Sequence, residues 1–151
     1  MAVNIQRYSL KLVKESGGRY KLEDKVIRQP DDAYKIFTEI MELNRKTEEV
    51  FAMITLDSKC KLIGTFEVST GTINSGIVTP REVFKRAIVH NSASLILAHN
   101  HPSGDPEPSR EDIEVTNKLM ETGKIVGINV LDHLVIGDGR YLSLKANDYL
   151  N

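Results

Sequence analysis

Residues 93–112 read ASLILAHNHPSGDPEPSRED, and this stretch decides the fold. Ala93–Ala98 is short, apolar and bounded by polar residues, which predicts a strand buried on both faces. His99 and His101 follow two residues apart, so on a strand their side chains leave on the same face, where that strand ends. Pro102 and the Ser103–Pro108 segment then reverse the chain. Ser109 opens a helix expected over about 110–122, with Asp112 in its first turn. Ile113, Thr116, Leu119 and Met120 are its expected inward positions and Gly123 its expected stop. A buried strand that ends in polar side chains and feeds a helix is an α/β arrangement, in which ligands sit at the carboxyl ends of strands.

Outward from this unit, strands and helices interleave. Thr79-Pro80-Arg81-Glu82 is a helix start, with a Thr cap, a first-turn Pro and a Glu three residues beyond the cap. Val83, Phe84, Ala87 and Ile88 supply that helix with an apolar stripe. Val50–Leu56 and Leu62–Val68 read as strands across a polar turn at 57–60. Ala33, Ile36, Phe37, Ile40 and Met41 recur at helical spacing and predict a helix near 31–45. Ile125–Ile136 supplies one or two strands, and Tyr141–Leu144 a short edge strand before a brief C-terminal helix. Residues 5–13 and 19–27 alternate loosely around Ser16-Gly17-Gly18 and predict a hairpin extension over 1–30, ahead of one domain over 31–151. The expected fold is three-layer α/β with a mixed central sheet.

Composition narrows the function classes. With 151 residues, the chain can bury one real core. Lys and Arg total 20 and Asp and Glu 21, a net charge of −1, which argues against a protein devoted to neutralising phosphates. Residues 1–28 are the exception, with seven basic side chains against three acidic, either a solvated face or a docking edge for an acidic partner. The single cysteine, Cys60, permits no intrachain disulfide and no thiolate metal site. No apolar run approaches the ~20 residues of a membrane helix, and the amino-terminal residues lack a signal-peptide core. A cytoplasmic location is the expectation.

The chemistry centres on His99, His101 and Asp112. Two neutral imidazoles and one carboxylate leave a tetrahedral metal with one open position, as catalytic zinc requires. Such an ion retains net positive charge and lowers the pKa of bound water toward ~7. A separate carboxylate must then carry the proton; by residue type alone Glu48, Glu49, Glu67 and Glu82 all qualify. Ser109 and Asp112 also fit a helix cap with no metal at all. A zinc deaminase pattern is excluded by the single cysteine, and no Walker-type phosphate loop is present.

His99-x-His101, seven residues, Ser109, two residues and Asp112 resembles the JAMM motif of JAB/MPN metalloproteases. The segment HNHPSGDPEPSREDIEVT, with the flanking GTINSGIVTPREVFKRAIVHNSASLILA and LDHLVIGDGRYLSL, is similar to the RadC-like branch over about residues 31–150. The resemblance implies a cytidine-deaminase-like α/β fold and one Zn²⁺ per chain, or another divalent ion, held by His99, His101 and Asp112. It implies that Ser109 polarises the scissile carbonyl or its oxyanion. Among the glutamates it selects Glu49 as general base, from the match of Glu49-Val50-Phe51 followed by Leu56-Asp57. The implied activity is peptide or isopeptide hydrolysis by metal-activated water. The alternatives are a DNA-repair-associated or mobile-element binding module without peptidase activity, or a metal-dependent nuclease. Asn100 departs from the Ser or Thr of many ubiquitin-cleaving relatives, and residues 1–30 are too short for the helix-hairpin-helix region of full-length RadC proteins. Asp132-His133 matches a pair in the same family and suits either support of the site or a structural role.

Overall fold

The computed structural model describes every residue except Glu23. Five strands form one sheet in the order β2-β1-β3-β4-β5: β1 is Val50–Leu56, β2 Leu62–Thr70, β3 Ser94–Asn100, β4 Asn129–Ile136 and β5 Tyr141–Ser143. β3 and β4 run parallel and the other pairs antiparallel, so the sheet is mixed, as the sequence predicts. The parallel pair needs a crossover, and the helix α3 (Arg110–Val126) supplies it.

Strand periodicity assigns the two layers that cover this sheet. Phe51, Met53, Leu95 and Leu97 pack against Val83, Phe84 and Ala87 of α2 (Pro80–Val89) and against Val115 and Leu119 of α3. The alternate residues, Ala52, Ile54, Ile96 and Ala98, pack with Leu134 and Ile136 against Ala33, Ile36 and Phe37. The central strands β1 and β3 are buried at every position, which is why they read as continuous apolar runs. β2 has one covered face and alternates accordingly. No helix among the described residues is long and apolar enough to cross a membrane.

Several boundaries differ from the sequence reading. The helix expected near 31–45 is three pieces: α1 (Pro30–Lys35), a π-helical turn over Ile36–Ile40 and a 3₁₀ turn over Leu43–Arg45. The wider turn keeps Ile36 and Phe37 buried while Glu42 breaks the helix in a left-handed conformation (φ 55°). α3 does not stop at Gly123. It continues to Val126 and ends at Gly127, whose φ of 78° suits glycine. Gly123 is instead a contact point: a Cβ there would strike the Ile128 carbonyl, so the helix lies close to the start of β4. Ile88 is exposed, and residues 144–148 form turns rather than a helix.

The hairpin extension over residues 1–30 is also corrected. Residues 1–22 carry no strand, and Val3, Ile5, Tyr8, Leu10 and Val13 lie exposed. From the second expected strand, Val26 makes one isolated antiparallel bridge to Lys61, while Glu23 lies outside the described residues. A two-stranded hairpin with nothing against its apolar face is marginal in water, and alternation alone does not supply that partner.

His90, at the end of α2, locks this helix to the sheet. Its Nδ1 lies 2.7 Å from the hydroxyl of fully buried Thr55, and its ring meets Phe66 edge-on at 5.0 Å. The imidazole lies over Gly64, where an added Cβ would be 2.6 Å from its Cε1. Gly64→Ala is therefore expected to displace a ring held on its other side and to destabilise the fold by about 1–3 kcal/mol. Urea unfolding of variant and native protein measures this; equal midpoints would show that the ring gives way freely.

Candidate metal centre

β3 delivers the two histidines. His99 shares the face of Leu95 and Leu97, the face that α3 covers, and is fully buried. His101 lies just beyond the strand, where its N–H donates to the Ile136 carbonyl (2.8 Å). The loop that follows is pinned onto the end of β4. Asp138 N–H donates to the Gly104 carbonyl (2.9 Å), and Gly137 approaches that carbonyl so closely that a side chain there would collide with it. From the other side, the Tyr149 hydroxyl donates to Glu107 (2.6 Å). These contacts hold the chain reversal that brings Ser109 and α3 back to the histidines.

The first turn of α3 delivers the carboxylate. Ser109 is the N-cap: its Oγ accepts the Asp112 N–H (3.0 Å), and Asp112 Oδ2 accepts the Ser109 N–H (2.8 Å). The capping reading of the sequence is thus correct, and it does not exclude the ligand reading. The same Oδ2 lies 3.3 Å from His99 Nε2 and 3.4 Å from His101 Nε2, and the two Nε2 atoms are 3.0 Å apart. His101 Nδ1 lies 2.8 Å from the Asp105 carbonyl, which can only accept, so the neutral ring turns a bare Nε2 toward the cluster.

This donor set fits a divalent cation. A carboxylate oxygen and two imidazole nitrogens converge from three directions in a site where Asp112 is 2% exposed. Such a convergence of lone pairs is repulsive unless a positive charge lies among them. The electrostatics agree. Burial opposes ionisation of Asp112, but in the metal-free site protonated His101 beside it and the Ser109 N–H overcome this and hold the carboxyl far below the usual range. The Asp112 carboxylate in turn raises His101 above its ordinary value, against the effect of burial.

Glu49 reaches the same place from β1. Phe51 pairs with His99 in the antiparallel register, so two residues further out Glu49 stands across from His101. The Glu49 carboxylate accepts the Ile73 N–H (3.1 Å), and it lines a cleft of about 400 Å³ with His101, Ser109, Asp112, Thr72 and Asn74. Glu111, at the start of α3, lines the cleft as well, whereas the other three candidates of the sequence reading lie apart. Glu67 pairs with Lys46 (3.5 Å), Glu82 with Lys85 (2.9 Å) and Arg86 (3.0 Å), and Glu48 is exposed.

Sequence reasoning missed what Asn100 does. Its buried side chain points away from the histidines: Oδ1 accepts the Val50 N–H (2.7 Å), and Nδ2 donates to the Glu48 carbonyl (2.9 Å). The amide therefore grips the backbone on both sides of Glu49. Alternation in the strand was the available signal, since the residue between two like-facing histidines must face the opposite layer.

A family description, the RadC-like JAB domain, matches residues 27–149. The chain belongs to the RadC-like JAB domain family. A UPF0758 protein of Methanosarcina mazei is 51% identical over 124 residues, which cover 82% of this chain and 53% of that protein. One from Methanococcoides burtonii is 52% identical over 126 residues, 83% of this chain and 54% of the relative. One from Caldanaerobacter subterraneus subsp. tengcongensis is 47% identical over 144 residues, 93% and 61% respectively. The chain thus spans little more than half the length of these RadC-family relatives, whose names state no activity.

Two outcomes follow from this geometry. Asn100→Ala removes both bonds that grip the Glu49 backbone and is expected to cost about 1–3 kcal/mol in chemical unfolding while leaving metal uptake in place; loss of metal with unchanged stability would contradict it. Because a proton on His101 competes with the cation, zinc affinity is expected to rise from about pH 6 to about pH 8, with proton release on binding. Calorimetry in buffers of different ionisation enthalpy reads this directly, and a pH-independent affinity would refute it.

Proposed function

We propose that this RadC-like domain is a zinc-dependent hydrolase of the JAMM type that cuts a peptide or isopeptide-like amide. The observation that carries the reading is the convergence of His99, His101 and Asp112 on one point, with the Glu49 carboxylate and the Ser109 hydroxyl on the wall of the same cleft. His99, His101 and Asp112 would hold the ion, and a bound Zn²⁺ supplies Lewis acidity and makes water acidic enough to deprotonate near neutral pH.

The remaining roles belong to the chain. Glu49, held by the Ile73 N–H, takes the proton of the attacking water and hands it to the departing amine as the C–N bond breaks. The Ser109 oxygen accepts the Asp112 N–H, which leaves the hydroxyl proton to be donated to the developing oxyanion. Asp112 stays ionised throughout, because the Ser109 N–H donates to its carboxylate and a bound cation would neutralise its charge. The substrate is a peptide or protein amide able to enter a cleft walled by Thr72, Ile73 and Asn74.

Glu49→Gln keeps the shape of the site but cannot carry a proton. It is expected to retain about one zinc per chain by elemental analysis while amide cleavage falls by at least ~100-fold. Loss of zinc in this variant would remove Glu49 from the proton-carrying role. Cleavage of DNA, but of no peptide or isopeptide, by the zinc-loaded native chain would replace the peptidase reading with the nuclease one.

A further inference from the structure

Behind His99 lies a buried polar chain that the proposed mechanism leaves unused. His99 Nδ1 is 2.7 Å from His133 Nε2, and His133 Nδ1 is 2.6 Å from Thr116 Oγ1. Thr116 Oγ1 in turn donates to the backbone carbonyl of Asp112 at 2.6 Å. His99, His133 and Thr116 are each 0% exposed, so no water competes for these bonds. Phe51 seals the assembly, stacked on His99 and edge-on to His133.

The direction of every bond follows from its last member. A carbonyl can only accept, so the Thr116 hydroxyl proton is committed to Asp112. Thr116 Oγ1 must then accept from His133 Nδ1–H. A fully buried imidazole carrying that single proton has a bare Nε2, which accepts from His99 Nδ1–H. His99 Nε2 is therefore the atom left with a free lone pair, and it is the atom that faces Asp112 and His101.

We propose that Thr116 and His133 are positioning residues that fix His99 in the tautomer whose Nε2 lone pair faces the cation, and that Thr116 ties this tautomer to the placement of Asp112. The inference rests on the reading of His99 as a metal ligand. It joins the three elements that meet at the site: β3 through His99, β4 through His133, and α3 through Thr116, one helical turn beyond Asp112. Partners that orient a ligating histidine typically change metal affinity by about 10–100-fold when removed.

The experiment pairs imidazole ¹⁵N NMR of the metal-free chain at about pH 8 with zinc competition against a chelator, for native protein, Thr116→Val and Thr116→Ser. In native protein, His99 and His133 are both expected to be protonated at Nδ1. Thr116→Val conserves volume but removes the hydroxyl; it is expected to mix the tautomers and weaken zinc binding by about 10–100-fold. Thr116→Ser keeps the hydroxyl and is expected to restore both signals. An Nε2-protonated His99 in the native chain overturns the proposal, even if the valine variant does not fold. So does an unchanged tautomer and affinity in Thr116→Val, or a serine variant as impaired as the valine one. If the native chain binds no zinc yet shows both Nδ1 protons, the relay stands and the hydrolase reading falls.

Discussion

The Asp112 carboxylate is the contact on which the rest of the site depends. One oxygen accepts the Ser109 N–H, and the same oxygen faces the Nε2 atoms of His99 and His101. Capping at an N-terminus normally satisfies backbone donors near solvent. Here Ser109 is exposed but its capping partner Asp112 is buried and lies against a strand end, so starting the helix and gathering the histidines are one event. α3 cannot begin in another register without withdrawing the carboxylate. The carboxylate, for its part, is stable as an anion in a buried place because the Ser109 N–H donates to it and protonated His101 lies beside it in the metal-free site.

The sheet does the rest of the positioning through pairing. β3 is central and flanked by β1 and β4, so a single strand end sits beside two others. Antiparallel pairing with β1 brings Glu49 across from His101, and parallel pairing with β4 brings His133 behind His99. The strand's two faces divide the labour. Histidines on the α3 face meet the carboxylate, while Asn100 on the other face grips the segment that carries Glu49. Asp132, next to His133, accepts the His133 backbone N–H (2.7 Å). Its carboxylate accepts the Ser143 hydroxyl and the Lys145 N–H and anchors the β5 corner that closes over β4.

Much of this was legible in residue order. The mixed α/β class, β1, β3 and the start of α2 follow from apolar runs and from the cap at Thr79, because burial on both faces and capping are local requirements. The divided helix over residues 30–45 and the true end of α3 were not legible. Apolar spacing of 3.6 residues does not distinguish an α-turn from a π-turn, and a glycine used for close packing reads like a glycine used to stop a helix. The alternating residues before 23 misled for a related reason: alternation describes a strand only where something covers one of its faces.

The sequence by itself determined the candidate cluster, since His99 and His101 share a strand face and Asp112 falls in the first turn of the next helix. The family resemblance already points to Glu49, but only the tertiary structure supplies the physical reason for that choice and decides what stands behind His99. Glu48, Glu49, Glu67 and Glu82 are chemically alike, and only the register of β1 against β3 sends one of them into the cleft. His133 and Thr116 lie 34 and 17 residues from His99 along the chain, and nothing local relates them. Contacts between β3, β4 and α3 arise from burying one shared core, a nonlocal requirement that a reading of neighbouring residues does not contain.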